Sequence, residues 1–350
     1  MKRRVYLDWN ASAPLRPEAR AAMIAALDLG GNPSSVHAEG RAARAMVEAA
    51  RAELAAALGA EGCEIVFTSG ATEAAALALA DRGLSCAAVE HEAVTAWCVP
   101  ELAVGADGQV SVPVPPQATL QIANSETGIV QDLPKGLAVS DLTQGFGKLP
   151  IAFNWLGCAA GFVSGHKIGG PKGVGALVLR PGVEIGARIR GGGQEMGRRS
   201  GTENVAAIAG FGAAARAAAR DLAVGIWDEV AELRNILVSA LEAVSPETIF
   251  VGKGGPQLPN TICAVTPGWK GESQVMRMDL EGFAVSAGSA CASGKVRQSA
   301  VLGAMGYPAN AAASALRVSL GPGATREDVL RFAEAWGRAA ARHMERAHAS

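Results

Sequence analysis

Lys167 lies in the stretch GFVSGHKIGGPKGVGALVLR, where an apolar run ends and a glycine-rich turn begins. An amine at the end of a strand can form a Schiff base with an aldehyde cofactor. A lysine in such a loop is, on its own, more often simply solvated. The chemistry of this amine therefore depends on whether other segments supply partners for it.

Three other strand ends carry groups that the aldehyde cofactor pyridoxal phosphate (PLP) would need. Asp141 ends the apolar run GLAVSD, where a protonated ring nitrogen would stabilise its carboxylate. In TSGATEAAALALA a strand runs through Gly70 into a helix, whose first N–H groups, at Ala71 and Thr72, form an anion site for phosphate. His91 follows LSCAAVE and could stack on the ring or move protons.

Each of these residues also has a purely structural explanation. Asp141 can be a helix cap or a turn residue, Thr72 can be an N-cap, and His91 can be a satisfied polar contact. Ser164 and His166, beside Lys167, could reach a phosphate. The joint placement of these groups at successive strand ends is what favours cofactor binding, because ligands gather at the carboxyl ends of parallel strands.

Two further residues could act on a substrate. Cys291 lies in VSAGSACASGKVRQS among small residues, so its loop is weakly held by packing and could carry a thiolate nucleophile; a small buried cysteine in a glycine–serine turn is the alternative. Arg317 lies in the middle of the strand-like run ALRVSLG, where a guanidinium needs a carboxylate. That carboxylate belongs either to a substrate or to an internal ion pair.

An α/β fold is predicted to hold these residues. Short apolar runs alternate with helical patterns through the first two thirds of the chain, which indicates a mainly parallel sheet covered by helices on both faces. The predicted strands are 64–70, 84–90, 119–124, 136–141, 161–167 and 173–180. The predicted helices of this part are 16–29, 38–58 and two within 204–244.

A smaller α+β domain is predicted after Pro246. There the strand-like runs ETIFVG, NTICAV, GFAVSAG and ALRVSLG accompany helices at 298–305 and 325–347. Because single cores stop growing at about 250 to 300 residues, we predict a large cofactor-binding domain over 14–245. Residues 1–13 and 246–350 would form the small domain, which would carry the cysteine loop.

Composition argues against several classes of protein. The 32 basic and 33 acidic residues give a net charge of -1, without a dense basic cluster, so we expect a small ligand and no nucleic acid. No apolar run suits a membrane helix or a signal peptide, so we expect a cytoplasmic protein with no membrane partner. The six cysteines form neither a C-x-x-C pair nor a zinc-spaced cluster, so we expect no disulfide framework and no metal.

Five motifs, in order along the chain, resemble the class V aminotransferase family and, within it, the cysteine desulfurase branch. They are YLDWNASAPLRPEA, GNPSSVHAEGRAAR, VFTSGATEAAALAL, SGHKIGGPKGVGAL and GGGQEMGRRSGTEN. The resemblance implies a PLP enzyme of fold-type I, a homodimer that removes sulfur from L-cysteine, releases alanine and holds the sulfur as a persulfide. GSACASG is similar to the mobile-loop, NifS/IscS-like type. This implies Cys291 as the persulfide carrier and a sulfur-acceptor or scaffold protein as partner, for iron–sulfur cluster assembly or related sulfur trafficking.

The same resemblance implies roles for individual residues. Lys167 is the Schiff-base lysine, Asp141 the partner of the pyridinium nitrogen, Gln144 a contact to the ring hydroxyl, and His91 the stacking residue that also exchanges protons. The remaining implied contacts are Thr72, Ser164 and His166 for the phosphate, Thr202 for the phosphate of the neighbouring subunit, Asn124 for cofactor and substrate, and Arg317 for the substrate carboxylate.

The chain departs from the family pattern in its large domain. Segments 92–123 and 125–140 are shorter than is common, so we expect one or two peripheral helices to be missing or reduced. Ser125 stands where a second asparagine is usual. Two alternatives stay open: an aminotransferase or a selenocysteine or cystine lyase of the same family, neither of which would need Cys291, and a partner-dependent member of low activity.

Overall fold

The structure, a computed structural model, describes residues 3–288 and 298–348, with side chains through residue 345. The helices are α1 (Pro17–Leu27), α2 (Ala38–Leu58), α3 (Ala71–Leu79), α4 (Glu92–Thr95), α5 (Phe153–Leu156), α6 (Val205–Ala223), α7 (Ile226–Val244), α8 (Gly271–Leu280), α9 (Ala300–Ala304), α10 (Ala309–Ala312) and α11 (Arg326–His348). The strands are β1 (Val5–Tyr6), β2 (Glu64–Thr68), β3 (Ser85–Ala87), β4 (Val99–Leu102), β5 (Val139–Asp141), β6 (Ala160–Ser164), β7 (Gly175–Leu179), β8 (Ile249–Phe250), β9 (Thr261–Val265), β10 (Phe283–Ala284), β11 (Ser286–Ala287) and β12 (Ala315–Ser319).

The large sheet has the strand order β2-β7-β6-β5. Parallel bridges from Thr119 to Val139 and from Ala118 to Ser85 extend it to the parallel pair β3 and β4. β7 is antiparallel to both of its neighbours, whereas β5 and β6 are parallel. It follows that β2, β6, β5 and β3 run in one direction and end at the same edge of the sheet.

Helices cover both faces of this sheet. β6 and β7 are buried along their whole length, which explains their near-continuous apolar sequences. Because side chains alternate across a strand, Val163 and Val178 pack with α2 and α6 on one face, while Phe162 and Leu177 pack with α3 on the other. The predicted α/β class with a mainly parallel sheet is therefore confirmed.

A second, antiparallel sheet has the order β11-β12-β9-β8, and β1 pairs with β10 beside it. The apolar cluster beside this sheet includes Trp336 of α11 and Trp227 and Leu237 of α7. The helix α7 therefore packs with the apolar cluster of the antiparallel sheet, although α7 precedes the predicted domain boundary at residue 245. The division at that residue stays a prediction.

Local signals account for the well-predicted α2. The His37 side chain accepts a hydrogen bond from the Gly40 N–H at the start of the helix, and Gly59, with φ +60°, ends it. The predicted strand 119–124 differs, because it forms only single bridges. There the carboxylate of Glu90 accepts the Gln121 N–H at 2.6 Å, so that group is not available to a neighbouring strand.

The segments predicted to be shortened contain little regular structure. Between α4 and β5 the described residues form β4, a short 3₁₀ turn at Pro115–Gln117 and isolated bridges, with no α-helix. No helix within the described ranges is both long and apolar enough to cross a membrane.

Candidate active site

The strand ends of the large sheet bring the predicted residues together. Asp141 ends β5, and Lys167 closes a 3₁₀ turn, Gly165–Lys167, that follows the adjacent parallel strand β6. On the same edge, β2 leads through Gly70 into α3, and His91 follows β3 as the N-cap of α4. The tertiary fold thus places four distant segments around one opening.

These segments line a cavity of about 710 Å³. The predicted site residues that line it are Ala71, Thr72, His91, Asp141, Gln144, Ser164, His166, Lys167 and Arg317. Residues from the N-terminal segment, among them Asp8 and Asn10, close one side. A volume of this size, with a few polar groups pointing into it, is typical of a cofactor site.

The amine of Lys167 lies against the N-terminal segment. Its Nζ donates to the main-chain oxygens of Asn10 at 2.7 Å and Ala11 at 3.1 Å. The amine and the Asp141 carboxylate line the same cavity, and the charge of Lys167 acts to lower the pKa of Asp141. The two groups can therefore act on one molecule bound between them.

Burial raises the pKa of the Asp141 carboxyl, whereas hydrogen bonding to Thr143 and the charges of His91 and Lys167 oppose that rise. The Thr143 N–H donates to Asp141 Oδ1 at 2.8 Å. Burial, and then the charge of Asp141, raise the pKa of the neighbouring Glu90 well above its usual range. A cationic ring nitrogen placed against Asp141 would supply the positive charge that stabilises its ionised form.

The N-terminus of α3 forms the anion end of the cavity. The first N–H groups of a helix have no acceptor within the helix, and the first two residues of α3, Ala71 and Thr72, line the cavity. Gly175 of β7 lets the sheet approach this turn, since a Cβ there would lie 2.6 Å from the carbonyl carbon of Gly70. Burial and the nearby lysine charges lower the pKa of His166 to about 4, so its imidazole is neutral at pH 7.

Together with Lys167 and the partly buried Asp141, the N-terminus of α3 fits PLP. An amine, a carboxylate for a ring nitrogen and a helix start for a phosphate stand around one cavity of suitable volume. Lys167, Asp141 and the first turn of α3 would hold the aldehyde carbon, the ring nitrogen and the phosphate.

Arg317, in the middle of β12, makes an internal ion pair and also lines the cavity. Its Nη2 donates to Asp8 Oδ1 at 2.8 Å and its Nη1 donates to the Ser125 carbonyl at 3.1 Å. The Ser286 hydroxyl donates to the same Asp8 oxygen at 2.9 Å. Nη1 and Nη2 each use one N–H bond in these contacts, so each keeps a second N–H bond, and Arg317 lines the cavity where a carboxylate ligand would bind.

Three predicted site residues are not brought to this cavity by the described structure. Asn124 is buried, and its amide builds a turn: Nδ2 donates to the Val89 carbonyl at 2.9 Å, and Oδ1 accepts the N–H groups of Glu126 and Thr127. Thr202 is exposed in the loop before α6 and does not line the cavity of its own chain. Cys291 lies outside the described residues.

Other residues enter the site without having been predicted. Asp8 and Asn10 stand in the motif YLDWNASAP, where polar residues directly after a short strand are a usable signal. Lys148 and Glu126 are buried ionisable residues near the site, in GFGKLP and NSETG. Nothing local in the sequence distinguishes them from solvated residues.

Comparison with known proteins identifies the family. The family described as "Aminotransferase class-V" matches residues 5–97 and 118–332, leaving out much of the first shortened segment. The chain belongs to the class V aminotransferase family. It is 40% identical over 371 residues to a cysteine desulfurase of Cereibacter sphaeroides, covering 95% of this chain and 94% of that protein.

A second relative and a solved structure agree with this assignment. Cysteine desulfurase IscS of Dictyoglomus turgidum is 36% identical over 365 residues, covering 94% of this chain and 92% of that protein. A NifS-like protein from Rickettsia africae superposes with a TM-score of 0.87 at 32% identity, covering 96% of this chain and 99% of that one. The predicted NifS/IscS-like branch is confirmed, as is the prediction of an enzyme that uses PLP.

Proposed function

We propose that this class V family member is a cysteine desulfurase, which takes sulfur from L-cysteine, releases L-alanine and holds the sulfur as a persulfide on Cys291. The observation that carries the proposal is the convergence of Lys167, Asp141 and the N-terminus of α3 on one cavity, in a chain whose relatives are cysteine desulfurases. Transfer of the persulfide sulfur to an acceptor, for iron–sulfur cluster assembly or related trafficking, completes the proposed cycle.

PLP, when bound, supplies an electron sink for the charge left by removal of a proton from the substrate α-carbon. Lys167 takes that proton and later returns it, since its Nζ is the amine at the cavity. Asp141 would hold the ring nitrogen, Gln144 would contact the ring hydroxyl, and His91 would stack on the ring. Ala71, Thr72, Ser164 and His166 hold the phosphate.

Arg317 holds the substrate α-carboxylate through the Nη N–H bonds that its contacts with Asp8 and Ser125 leave unused. The thiolate of Cys291 then attacks the substrate sulfur. The bond between the substrate β-carbon and sulfur breaks, a sulfur–sulfur bond forms and the β-carbon takes a proton. Cysteine and one enzyme thiol thereby give alanine and one persulfide, with atoms and electrons balanced.

A homodimer is part of the proposal. Thr202 is exposed and outside the cavity of its own chain, which supports a contact to the phosphate in a second copy, as the resemblance implies. Mixing Lys167→Ala with Thr202→Ala chains tests this: a mixed dimer would contain one site with both residues intact. Recovery of activity on mixing is expected, and its absence would count against the shared site. The proposed setting is the cytoplasm.

The decisive experiment compares Cys291→Ser with the parent and with Cys63→Ser, which alters a partly accessible cysteine away from the cavity. The purified proteins are loaded with PLP and given L-cysteine, and alanine, sulfide and persulfide are measured. Cys291→Ser should keep the absorbance of bound PLP and lose persulfide and sulfide, while Cys63→Ser should match the parent. Sulfide release by Cys291→Ser at the parental rate would refute the role of Cys291.

The same assay separates the alternatives. An aminotransferase or a selenocysteine or cystine lyase does not require Cys291, so its activity would survive the substitution. A partner-dependent member would bind PLP yet release sulfide only after a candidate acceptor is added. Turnover of cysteine by the isolated protein would exclude that alternative.

A further inference from the structure

Lys148 is a second lysine beside the site, buried to 3% exposure and not part of the cavity wall. Its Nζ donates to Gln144 Oε1 at 2.7 Å and to Asn10 Oδ1 at 2.9 Å. No carboxylate among the described residues forms an ion pair with it. A buried lysine without a counter-ion is costly, so its position calls for a physical explanation.

The protonation of Lys148 matches its surroundings. Burial, together with the charges of Lys167 and Arg317, holds the pKa of Lys148 well below its usual range. A neutral amine has two N–H bonds, and two acceptors face this one. Lys148 therefore has a hydrogen-bond acceptor for each of two N–H bonds, and its lowered pKa reduces the cost of burying the amine.

The neighbours of Gln144 determine the orientation of its amide. Gln144 Oε1 accepts from the Lys148 amine at 2.7 Å. The other amide atom lies 3.1 Å from the main-chain carbonyl of Asn10, which can only accept, so it must be the nitrogen. Gln144 lines the cavity, and its NH₂ group keeps a second N–H bond for a ligand there.

Asn10 does not depend on Lys148 in the same way. Its Oδ1 also accepts from Asn260 Nδ2 at 3.0 Å, and its Nδ2 donates to the Ser125 carbonyl at 3.2 Å and to Thr261 Oγ1 at 2.8 Å. These bonds would hold Asn10 in place if Lys148 were removed. Removal of Lys148 would therefore leave Gln144 Oε1 without a hydrogen bond, because Lys148 is its one donor among the described contacts.

We propose that Lys148 is a positioning residue that, together with the main-chain carbonyl of Asn10, sets the amide orientation of Gln144, so that Gln144 presents an N–H donor to the ring hydroxyl of PLP. The inference rests on the proposed function, which places Gln144 at that hydroxyl. Lys148 itself touches neither the cofactor nor the substrate. Its effect should therefore appear as a preference for a cofactor that carries the hydroxyl.

The test measures the equilibrium affinity of cofactor-free protein for PLP and for 3-deoxypyridoxal phosphate, which lacks the hydroxyl. The variants are Lys148→Met, Gln144→Ala and their combination, with Lys253→Met as a matched control, because Lys253 is exposed and pairs with Glu242. The preference of the parent for PLP should fall about 10-fold in Lys148→Met, the size expected for one hydrogen bond. It should fall similarly in Gln144→Ala, no further in the double variant, and not at all in Lys253→Met.

Each result has a distinct meaning. The inference is overturned if the preference for PLP is unchanged in Lys148→Met. It is also overturned if the preference falls in the double variant by the product of the two single-variant factors. Neither result contradicts the proposed function. A parent that binds neither cofactor refutes the proposed function instead. A structure of the PLP-bound parent gives a second test that needs no variant. Gln144 should lie within about 3.2 Å of both the ring hydroxyl and Lys148 Nζ, and a wider separation from either overturns the inference.

Discussion

Replacement of Glu126 by glutamine should change how the stability of the protein depends on pH. Glu126 is buried beside Gly288 and has one carboxylate oxygen, Oε1, without a hydrogen-bond partner in the described chain. Burial raises the pKa of Glu126 to about 7, although Ser299 and the charge of Arg317 act to lower it. The folded protein therefore holds a proton here that the unfolded chain releases near pH 4.5.

The sign and the size of the effect follow from this difference. Between pH 4.5 and 7 the folded state binds more protons at Glu126 than the unfolded state does, so stability falls as the pH rises. The contribution is complete below the unfolded pKa and is lost as the pH passes the folded pKa. A difference of about 2.5 pH units, at 1.36 kcal/mol per unit, amounts to about 3 kcal/mol.

Chemical denaturation of cofactor-free protein at pH 5 and pH 8 measures the effect. The unfolding free energy of the parent, minus that of Glu126→Gln, should fall by about 2 to 3 kcal/mol between these values, because part of the change already occurs below pH 5. Glu229→Gln, at an exposed position on α7, is the matched control and should show no such fall. A difference between parent and Glu126→Gln that stays constant with pH would show that Glu126 is ionised throughout and would refute the reasoning.

Three further substitutions test the site and the fold. Asp141→Asn should lower kcat/KM about 100-fold or more with little change in folding, because it removes the negative charge for the ring nitrogen; parental kinetics would contradict this role. Arg317→Met should lower kcat/KM for cysteine about 10- to 100-fold, chiefly by raising KM. An unchanged KM would show that Arg317 does not bind the substrate carboxylate. Glu195→Gln should lower the unfolding free energy by about 1 to 3 kcal/mol, since the buried Glu195 accepts two bonds at 2.9 Å from Arg51, which is partly exposed. Denaturation curves that superpose on the parental one would show that the pair contributes little.

Much of the sheet and its covering helices could be predicted, because the sequence patterns that indicate them lie within consecutive residues. The helix 38–58 agrees with α2, since a cap, an apolar face and a closing Gly59 are all written in consecutive residues. The segment 119–124 was predicted as a strand from the same kind of pattern. It forms only bridges because Glu90, about thirty residues earlier, accepts the N–H group of Gln121. The strand propensity of a segment does not reflect a contact with a residue so far away in the sequence.

Some residues of the candidate site could be predicted from the sequence and others could not. The residues at strand ends could be found, because parallel strands deliver their carboxyl ends to one edge of a sheet. Asn124 illustrates the limit: its amide faces the turn that follows it and does not line the cavity. Which way a side chain points depends on neighbours that local sequence does not specify.

The sequence by itself determined the kinds of group available and the strand ends that carry them, since apolar runs, glycines and helix starts act over a few residues. Tertiary structure alone decided that Asp8 pairs with Arg317 and that Lys148 holds the amide of Gln144 beside Asn10. These contacts join segments brought together by burial of two separate apolar clusters. Loss of water lowers the pKa of Lys148 and raises the pKa of Glu126, which is a property of the folded surroundings and not of either residue alone.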